Sequence, residues 1–203
     1  MNKKVKAVVI GGGVVGVSTL YHLAKKGWTD SLLIERKELT SGSTWHAAGL
    51  LPLFNMSYSV GKLHQYSVNF YHELEKETGQ NVGFKVVSNI RLACTQDRMD
   101  EYLYYSSVAQ TVGVEVKFLT PQQVKEVWPM CDTSGLIGAI QHPDDGYIQP
   151  ADLTQALAKG ARTRGAQIQR NTKVLNILQK EDDTWFVETD KGVIECEHVV
   201  SCS

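Results

Sequence analysis

The first 35 residues alternate between apolar blocks of two different periods. Val5 to Ile10 is a mostly β-branched apolar run, the pattern of a strand buried on both faces. From Val14 to Lys26 the side chains of Val17, Leu20, Leu23 and Ala24 share one helical face, and Gly27 stops the helix. Ser31 to Glu35 is a second buried strand. A strand, a helix and a strand joined by short connections predict the βαβ unit of a parallel sheet.

The pattern then loosens. Glu38 to Phe54 reads as a loop rich in Ser, Thr, Gly and Ala. Leu63, Tyr66, Phe70 and Leu74 recur at helical spacing as far as Gly79. Val86 to Cys94 predicts a strand, and Gln96 to Val112 a helix carrying Tyr102, Leu103, Tyr105, Val108 and Ala109. Pro121 to Trp128 predicts a short helix behind a Thr120 N-cap. Ile137 to Ile140 reads as a strand, Gly146 to Pro150 as a turn with an extended exit, and Ala151 to Arg164 as a helix ended by Gly165. Short strands follow at Gln167-Ile168, Val174 to Leu178, Trp185 to Thr189 and Val193 to Cys196. Val199 to Ser203 looks like the start of one more buried strand. A core strand needs partners and a covering layer, so this ending predicts the N-terminal part of a longer protein.

Composition narrows the class. With 42% hydrophobic and 21% charged residues among 203, the chain has enough apolar material for a packed core. A formal net charge of -1 gives no reason to expect nucleic acid or an anionic membrane as partner. No apolar run approaches the roughly 20 residues that span a bilayer. Met1 to Lys4 runs straight into Val5 to Ile10, a stretch too short and too soon followed by glycines for a signal peptide. The expectation is a cytoplasmic protein, or a mitochondrial matrix protein whose leader has been removed. Cys94, Cys131, Cys196 and Cys202 lie far apart with no CxxC, which points to free thiols rather than to a metal site.

The strongest local signal is Gly11-Gly12-Gly13-Val14-Val15-Gly16, a G-x-G-x-x-G that follows a strand and opens a helix. Gly11 permits the tight turn, Gly13 lets backbone approach a pyrophosphate, and Gly16 allows helix and strand to pack closely. The free N–H groups of the helix start face the negative charge. Glu35 ends the second strand nineteen residues after Gly16, where a carboxylate accepts hydrogen bonds from a ribose diol and disfavours a 2′-phosphate. The same fingerprint serves FAD and NAD. A simple NAD enzyme continues with another helix and sheet strand, whereas here a loop of small and hydroxyl residues runs from Thr40 to Gly49, suited to an extended ligand such as FAD.

These segments resemble the dimethylglycine/sarcosine dehydrogenase branch of the D-amino-acid-oxidase-like flavoproteins. The likeness is carried by Gly11 to Gly16, Leu32 to Arg36 and Ser41-Gly42-Ser43-Thr44-Trp45-His46-Ala47-Ala48-Gly49. It extends through Glu75 to Gly79, Ile90 to Ala93 and Asp145 to Leu153. The resemblance implies an α/β fold: a Rossmann-like FAD-binding domain with a parallel sheet at 1–85 and 146–203, interrupted at 86–145 by part of an α+β substrate domain. It implies FAD contacts from Gly11, Gly13, Val14, Val15 and Gly16, from Glu35 and Arg36, and from Gly42 to Leu50. Val174 is expected to meet the adenine through its main chain on a parallel strand. In such enzymes the His of Ser-Thr-Trp-His is joined to the flavin 8α-methyl carbon, which makes His46 the covalent anchor; a neutral imidazole is a competent nucleophile for that role. The implied reaction is hydride transfer from an N-methyl carbon of a small amine, such as dimethylglycine or sarcosine, to the flavin. The resulting iminium hydrolyses or passes its one-carbon unit to tetrahydrofolate, and electrons pass to an electron-transfer flavoprotein or to oxygen. No catalytic residue is singled out; Tyr147 and Arg91 are as readily structural as substrate-facing. Two rival readings are an FAD-binding regulatory or scaffolding subunit without turnover and an NAD-dependent dehydrogenase.

Overall fold

The computed structural model describes residues 3–53 and 57–203. Phe54, the last residue of the expected loop, and Met1 and Asn2 lie outside the described residues. In chain order, β1 (Lys3–Ile10), α1 (Val14–Lys25) and β2 (Ser31–Ile34) form the opening unit. A single 3-10 turn at Ser43–His46 and β3 (Leu50–Leu51) lead to α2 (Tyr58–Thr78). Next come β4 (Lys85–Val86), β5 (Asn89–Ala93), α3 (Gln96–Thr111), β6 (Lys117–Leu119), α4 (Pro121–Val127), β7 (Gly138–His142) and β8 (Gly146–Tyr147). α5 (Pro150–Thr163), β9 (Gln167–Gln169), β10 (Val174–Gln179), β11 (Trp185–Thr189) and β12 (Gly192–Ser201) complete the chain.

The chain divides into two compact units. The first comprises Met1–Gly49, Glu73–Gly83 and Gln149–Ser203, and the second Leu50–His72 and Phe84–Ile148. Residues 50–72, placed with the first part by the expected boundaries, fall in the second unit. One reason is visible in β3, which pairs Leu50 with Tyr147 and Leu51 with Gly146 of β8.

The first unit is built on a six-stranded sheet in the order β10-β11-β12-β1-β2-β9. β12, β1, β2 and β9 are parallel, while β10 and β11 form an antiparallel ribbon at one edge. The fold is therefore mixed α/β with a parallel core. β1 is central and its Val5, Ala7, Val8 and Val9 are buried, as the apolar run requires. Two strands expected at Val193 to Cys196 and from Val199 onward are one continuous strand, β12. Glu197 and His198 interrupt the apolar pattern, but the backbone ladder to β1 runs through them, from Lys3 opposite Ile194 to Ile10 opposite Ser201. β10 is antiparallel and at the edge, not parallel as expected for the strand carrying Val174.

The registers Ile10–Ile34 and Ile10–Ser201 bring the carboxyl ends of β1, β2 and β12 level. The turn into α1 sits on that edge. α1 is fixed from behind by Gly16, Val17, Leu20, Tyr21 and Ala24, all buried. Tyr21 packs where α5 has Gly160, and its hydroxyl donates to the Glu77 carboxylate at 2.9 Å. Arg164 closes this group, with a nitrogen 2.6 Å from Glu77 and its guanidinium 5.1 Å from the Tyr21 ring centroid.

The second unit holds two antiparallel three-stranded sheets, β3-β8-β4 and β5-β7-β6. α3 packs Tyr102, Tyr105 and Ala109 against Ala93 and Ile140. The strand expected from Val86 to Cys94 is split between the two sheets. Ser88 takes a positive φ of 70°, and the N–H groups of Val87 and Ser88 both donate to the Asp145 carbonyl, at 3.1 and 2.8 Å. β6 is a strand that its short, half-polar sequence did not announce. Thr120 does cap α4, in a capping box completed by Gln123.

A Cβ added at Gly160 would stand 2.7 Å from a Tyr21 ring carbon. Gly160→Ala is expected to lower stability by about 1–3 kcal/mol through overpacking. A lower urea midpoint at unchanged slope is the measurement that checks it.

Candidate functional site

The turn after β1 is shaped by close backbone approach. Gly11 has φ 109° and a Cβ there would lie 2.7 Å from the Cys202 carbonyl oxygen. At Gly16 a Cβ would lie 2.0 Å from the Gly11 carbonyl oxygen, so only glycine lets α1 start against the end of β1. Gly12 faces Glu35 and Leu39, with 2.8 Å to each from a built Cβ. Its N–H donates to one Glu35 carboxylate oxygen at 2.6 Å, and Lys37 N–H donates to the other at 2.8 Å. Glu35 is thus oriented by two backbone donors at the mouth of the turn.

The first turn of α1 has no side-chain cap of its own. Val14 N–H instead donates to the hydroxyl of Thr44, at 3.0 Å, thirty residues along the chain. The N–H groups of Gly13 and Val15 have no partner among the described residues. They open on a cleft of about 720 Å³. Of the expected cofactor residues, its walls include Gly11, Gly13, Val14 and Val15 of the turn, Glu35 and Arg36 after β2, Gly42 to Thr44 of the loop, and Val174 at the start of β10. Gly16 lies beneath the turn rather than on the wall.

Trp45, His46, Ala47 and Ala48 are exposed and do not line the cleft; nor do Gly49 and Leu50. The His46 Nδ1 lies 3.1 Å from the Gly42 carbonyl, and its ring packs on Trp45 with centroids 4.0 Å apart. Because a carbonyl only accepts, Nδ1 is the donor in that contact, so in a neutral ring the lone pair sits on Nε2. Sequence reasoning missed Gly12, Lys37, Thr172, Lys173, Ile177 and Ser201 to Ser203, which also line the cleft. Gly12 was legible inside its motif. The others reach the cleft because the carboxyl ends of β2 and β12 and the start of β10, far apart in sequence, all border it.

The sequence pattern of the family described as FAD dependent oxidoreductase matches residues 6–203. The chain belongs to that family. It is 40% identical to the mitochondrial dimethylglycine dehydrogenase of Rattus norvegicus over 200 residues, 98% of this chain and 23% of the relative. It is 39% identical to the mitochondrial pyruvate dehydrogenase phosphatase regulatory subunit of Mus musculus, over 98% of this chain and 23% of that protein. The chain therefore spans about a quarter of these relatives' length. Among solved structures it superposes on L-proline dehydrogenase from P. horikoshii with a TM-score of 0.90 and 29% identity, covering 100% of this chain and 54% of that one. No helix among the described residues is long and apolar enough to cross a membrane.

Within this family member the second unit carries a separate buried polar group. His142 is 1% exposed, and neither ring nitrogen has a hydrogen-bond partner among the described residues. Its ring meets Tyr105 edge-on at 5.4 Å, and the Arg91 guanidinium lies 5.0 Å from the same Tyr105 ring. Burial first, and the Arg91 charge second, push His142 down to about 4. Burial likewise raises the Asp145 carboxyl, against the Leu53 N–H that donates to it at 2.8 Å. Arg91 is thereby tied to this cluster rather than to the cleft.

Two predictions follow the geometry. Gly16→Ala forces the turn and α1 apart, so the protein purified with this variant should lack bound flavin while wild type retains it; equal visible absorbance would show that the turn tolerates a Cβ. The second concerns acid. His142 is held neutral when folded but titrates near 6.5 when unfolded. Unfolding therefore takes up a proton between about 6.5 and about 4, and stability is lost as pH falls through that window. Asp145, with its folded pKa raised, acts in the opposite sense, disfavouring the fold as pH rises through its own range. His142→Phe should flatten the fall of the urea midpoint between those two values, and an unchanged pH profile would assign the acid sensitivity elsewhere.

Proposed function

We propose that the first unit holds FAD along the cleft and that the whole protein oxidises a small N-methylated amine or amino acid, such as dimethylglycine or sarcosine. The observation that carries the cofactor assignment is the turn itself. Unpartnered Gly13 and Val15 N–H groups lie at a helix N-terminus where glycine leaves room for a phosphate. The residues fit the group: Glu35 stands oriented for a ribose diol, Gly42 to Thr44 flank the phosphate turn, and Val174 bounds the adenine end. Bound FAD supplies a hydride acceptor for the carbon beside the amine nitrogen. This chain's residues bind and orient. The α1 N-terminus and Thr44 hold the pyrophosphate, and the small side chains after Thr44 leave room for close approach.

His46 is proposed as the residue joined to the flavin 8α-methyl carbon, through the Nε2 that its Nδ1–H contact leaves available. The second unit is read as the beginning of the substrate domain, the residues that grip the substrate and any tetrahydrofolate site lying outside this chain. Electron-transfer flavoprotein or oxygen would take the electrons. The mitochondrial relatives favour the matrix over the cytoplasm. A second reading, an FAD-binding regulatory subunit without turnover, is supported by the 39% identity to the phosphatase regulatory subunit.

The test uses the full-length protein. Acid denaturation is expected to leave yellow, fluorescent flavin on the polypeptide, in a peptide containing His46, and His46→Ala to release it while keeping reversible FAD binding. Flavin freed entirely by acid from wild type would sink the covalent link but leave FAD binding standing. Bleaching of the flavin by dimethylglycine or sarcosine supports the oxidase or dehydrogenase reading. A flavin that no methylated amine reduces supports the regulatory one.

A further inference from the structure

Two basic side chains of the second unit share one face of a sheet and find no acceptor there. In the β5–β7 ladder Asn89 lies opposite His142 and Arg91 opposite Ile140, so Arg91 and His142 are diagonal neighbours on the face that α3 covers. Tyr105 of α3 meets both, its ring 5.0 Å from the Arg91 guanidinium and 5.4 Å from the His142 ring. His142 is buried, and neither of its nitrogens has a partner among the described residues. Arg91 is half-buried, and its guanidinium makes no hydrogen bond or ion pair among them. From α2, the buried Nδ1 of His64 is also without a partner.

The acidic side is thinner. Asp145 is the one buried carboxyl among the described residues. The charges of Arg91 and His64 both act on it, yet its Oδ1 is taken by the Leu53 N–H and it forms no ion pair with either. Its neighbour Asp144 is exposed. A guanidinium fork without an acceptor beside a buried imidazole without any partner is a costly arrangement, and such groups are matched in native proteins.

We infer that Arg91 and His142 form a carboxylate-binding site in the second unit, the guanidinium taking both oxygens side by side and a His142 N–H reinforcing one of them. The planar fork matches a carboxylate better than a spherical anion. The nearby Asp145 disfavours a doubly charged ligand, and the Arg91 charge excludes a metal cation. The carboxylate belongs either to a small free acid or to an acidic side chain of the full-length protein. The site stands whether or not the FAD reading does.

The test is a crystal structure of the full-length protein, grown without carboxylates and then soaked in sodium acetate. Acetate on Arg91 and His142 assigns the site to a free acid, and a Glu or Asp side chain in the same place assigns it to the chain itself. Water alone beside Arg91 in every crystal overturns the inference. Calorimetry at constant ionic strength then separates the sources. For a free acid, Arg91→Met and His142→Phe should each weaken acetate by about tenfold or more, as loss of a charge-assisted hydrogen bond does. Asp145→Asn, which removes the opposing charge and keeps an oxygen for Leu53, should tighten it by about three- to tenfold. A merely structural cluster would not give these opposite signs. For an internal carboxylate, wild type ignores acetate and Arg91→Met lowers the urea midpoint. Acetate binding that none of the three substitutions alters overturns the inference. So does acetate seen on Arg91 in crystals but undetected in solution, which is binding at crystal concentration only. Should Arg91→Met not fold, Arg91→Lys keeps the charge and loses the fork, and unaltered acetate affinity there overturns the inference too.

Discussion

A helix that begins four residues after a strand must bring its first turn against that strand's last carbonyl groups, and only a residue without Cβ can stand there. In this chain the residue is Gly16, whose missing Cβ would lie 2.0 Å from the Gly11 oxygen. The contact sets the direction of α1, and with it the aim of the Gly13 and Val15 N–H groups. It also sets how near the turn comes to β2, where Gly12 N–H reaches Glu35. The same device recurs behind α1, where Gly160 yields to Tyr21. Close backbone packing at one end and close helix packing along its length leave α1 no freedom to tilt.

Glu35 shows how the turn is made ready before any ligand arrives. A carboxylate has about four lone-pair sites. Two are taken by Gly12 and Lys37 N–H groups, which fix its orientation. The remainder face outward and are available to a diol. Because the side chain is already ordered, binding does not have to immobilise it, and that saving in entropy adds to affinity. The second unit presents the opposite case. His142 is buried with neither nitrogen partnered among the described residues, and such a group costs stability wherever it takes a charge.

The βαβ unit was legible because three independent patterns agreed: the apolar run of β1, the helical face of α1 and the glycine spacing between them. Their agreement fixed Glu35 in place as well. Other features depended on partners distant in sequence. β12 looked broken because Glu197 and His198 interrupt its apolar residues, but strand continuity is decided by the backbone ladder to β1. Ser88 split an apparently single strand because the Asp145 carbonyl, far along the chain, takes two consecutive N–H groups. The loop's composition suggested contact with an extended ligand, yet nothing local distinguished buried Thr44 from exposed Ser43. That difference arises when α1 offers an unsatisfied Val14 N–H at the right height.

A shared turn speaks for the cofactor and is silent about turnover. Relatives named as a dehydrogenase and as a phosphatase regulatory subunit both align with this chain at about the same identity, 40% and 39%, and fold alone does not choose between them. What can differ is what the loop after β2 does with a flavin once it is held. The turn Ser43–His46 joins a residue capped onto α1 to a histidine whose Nδ1 is held by the Gly42 carbonyl. A short turn held at both ends suits the reach that the proposed bond to the flavin would need, since small misplacements are costly to reactivity. On the proposed covalent link, the histidine that ends Ser43–His46 is what separates a flavin joined to the chain from one merely retained, and turnover itself rests on residues that face the ring.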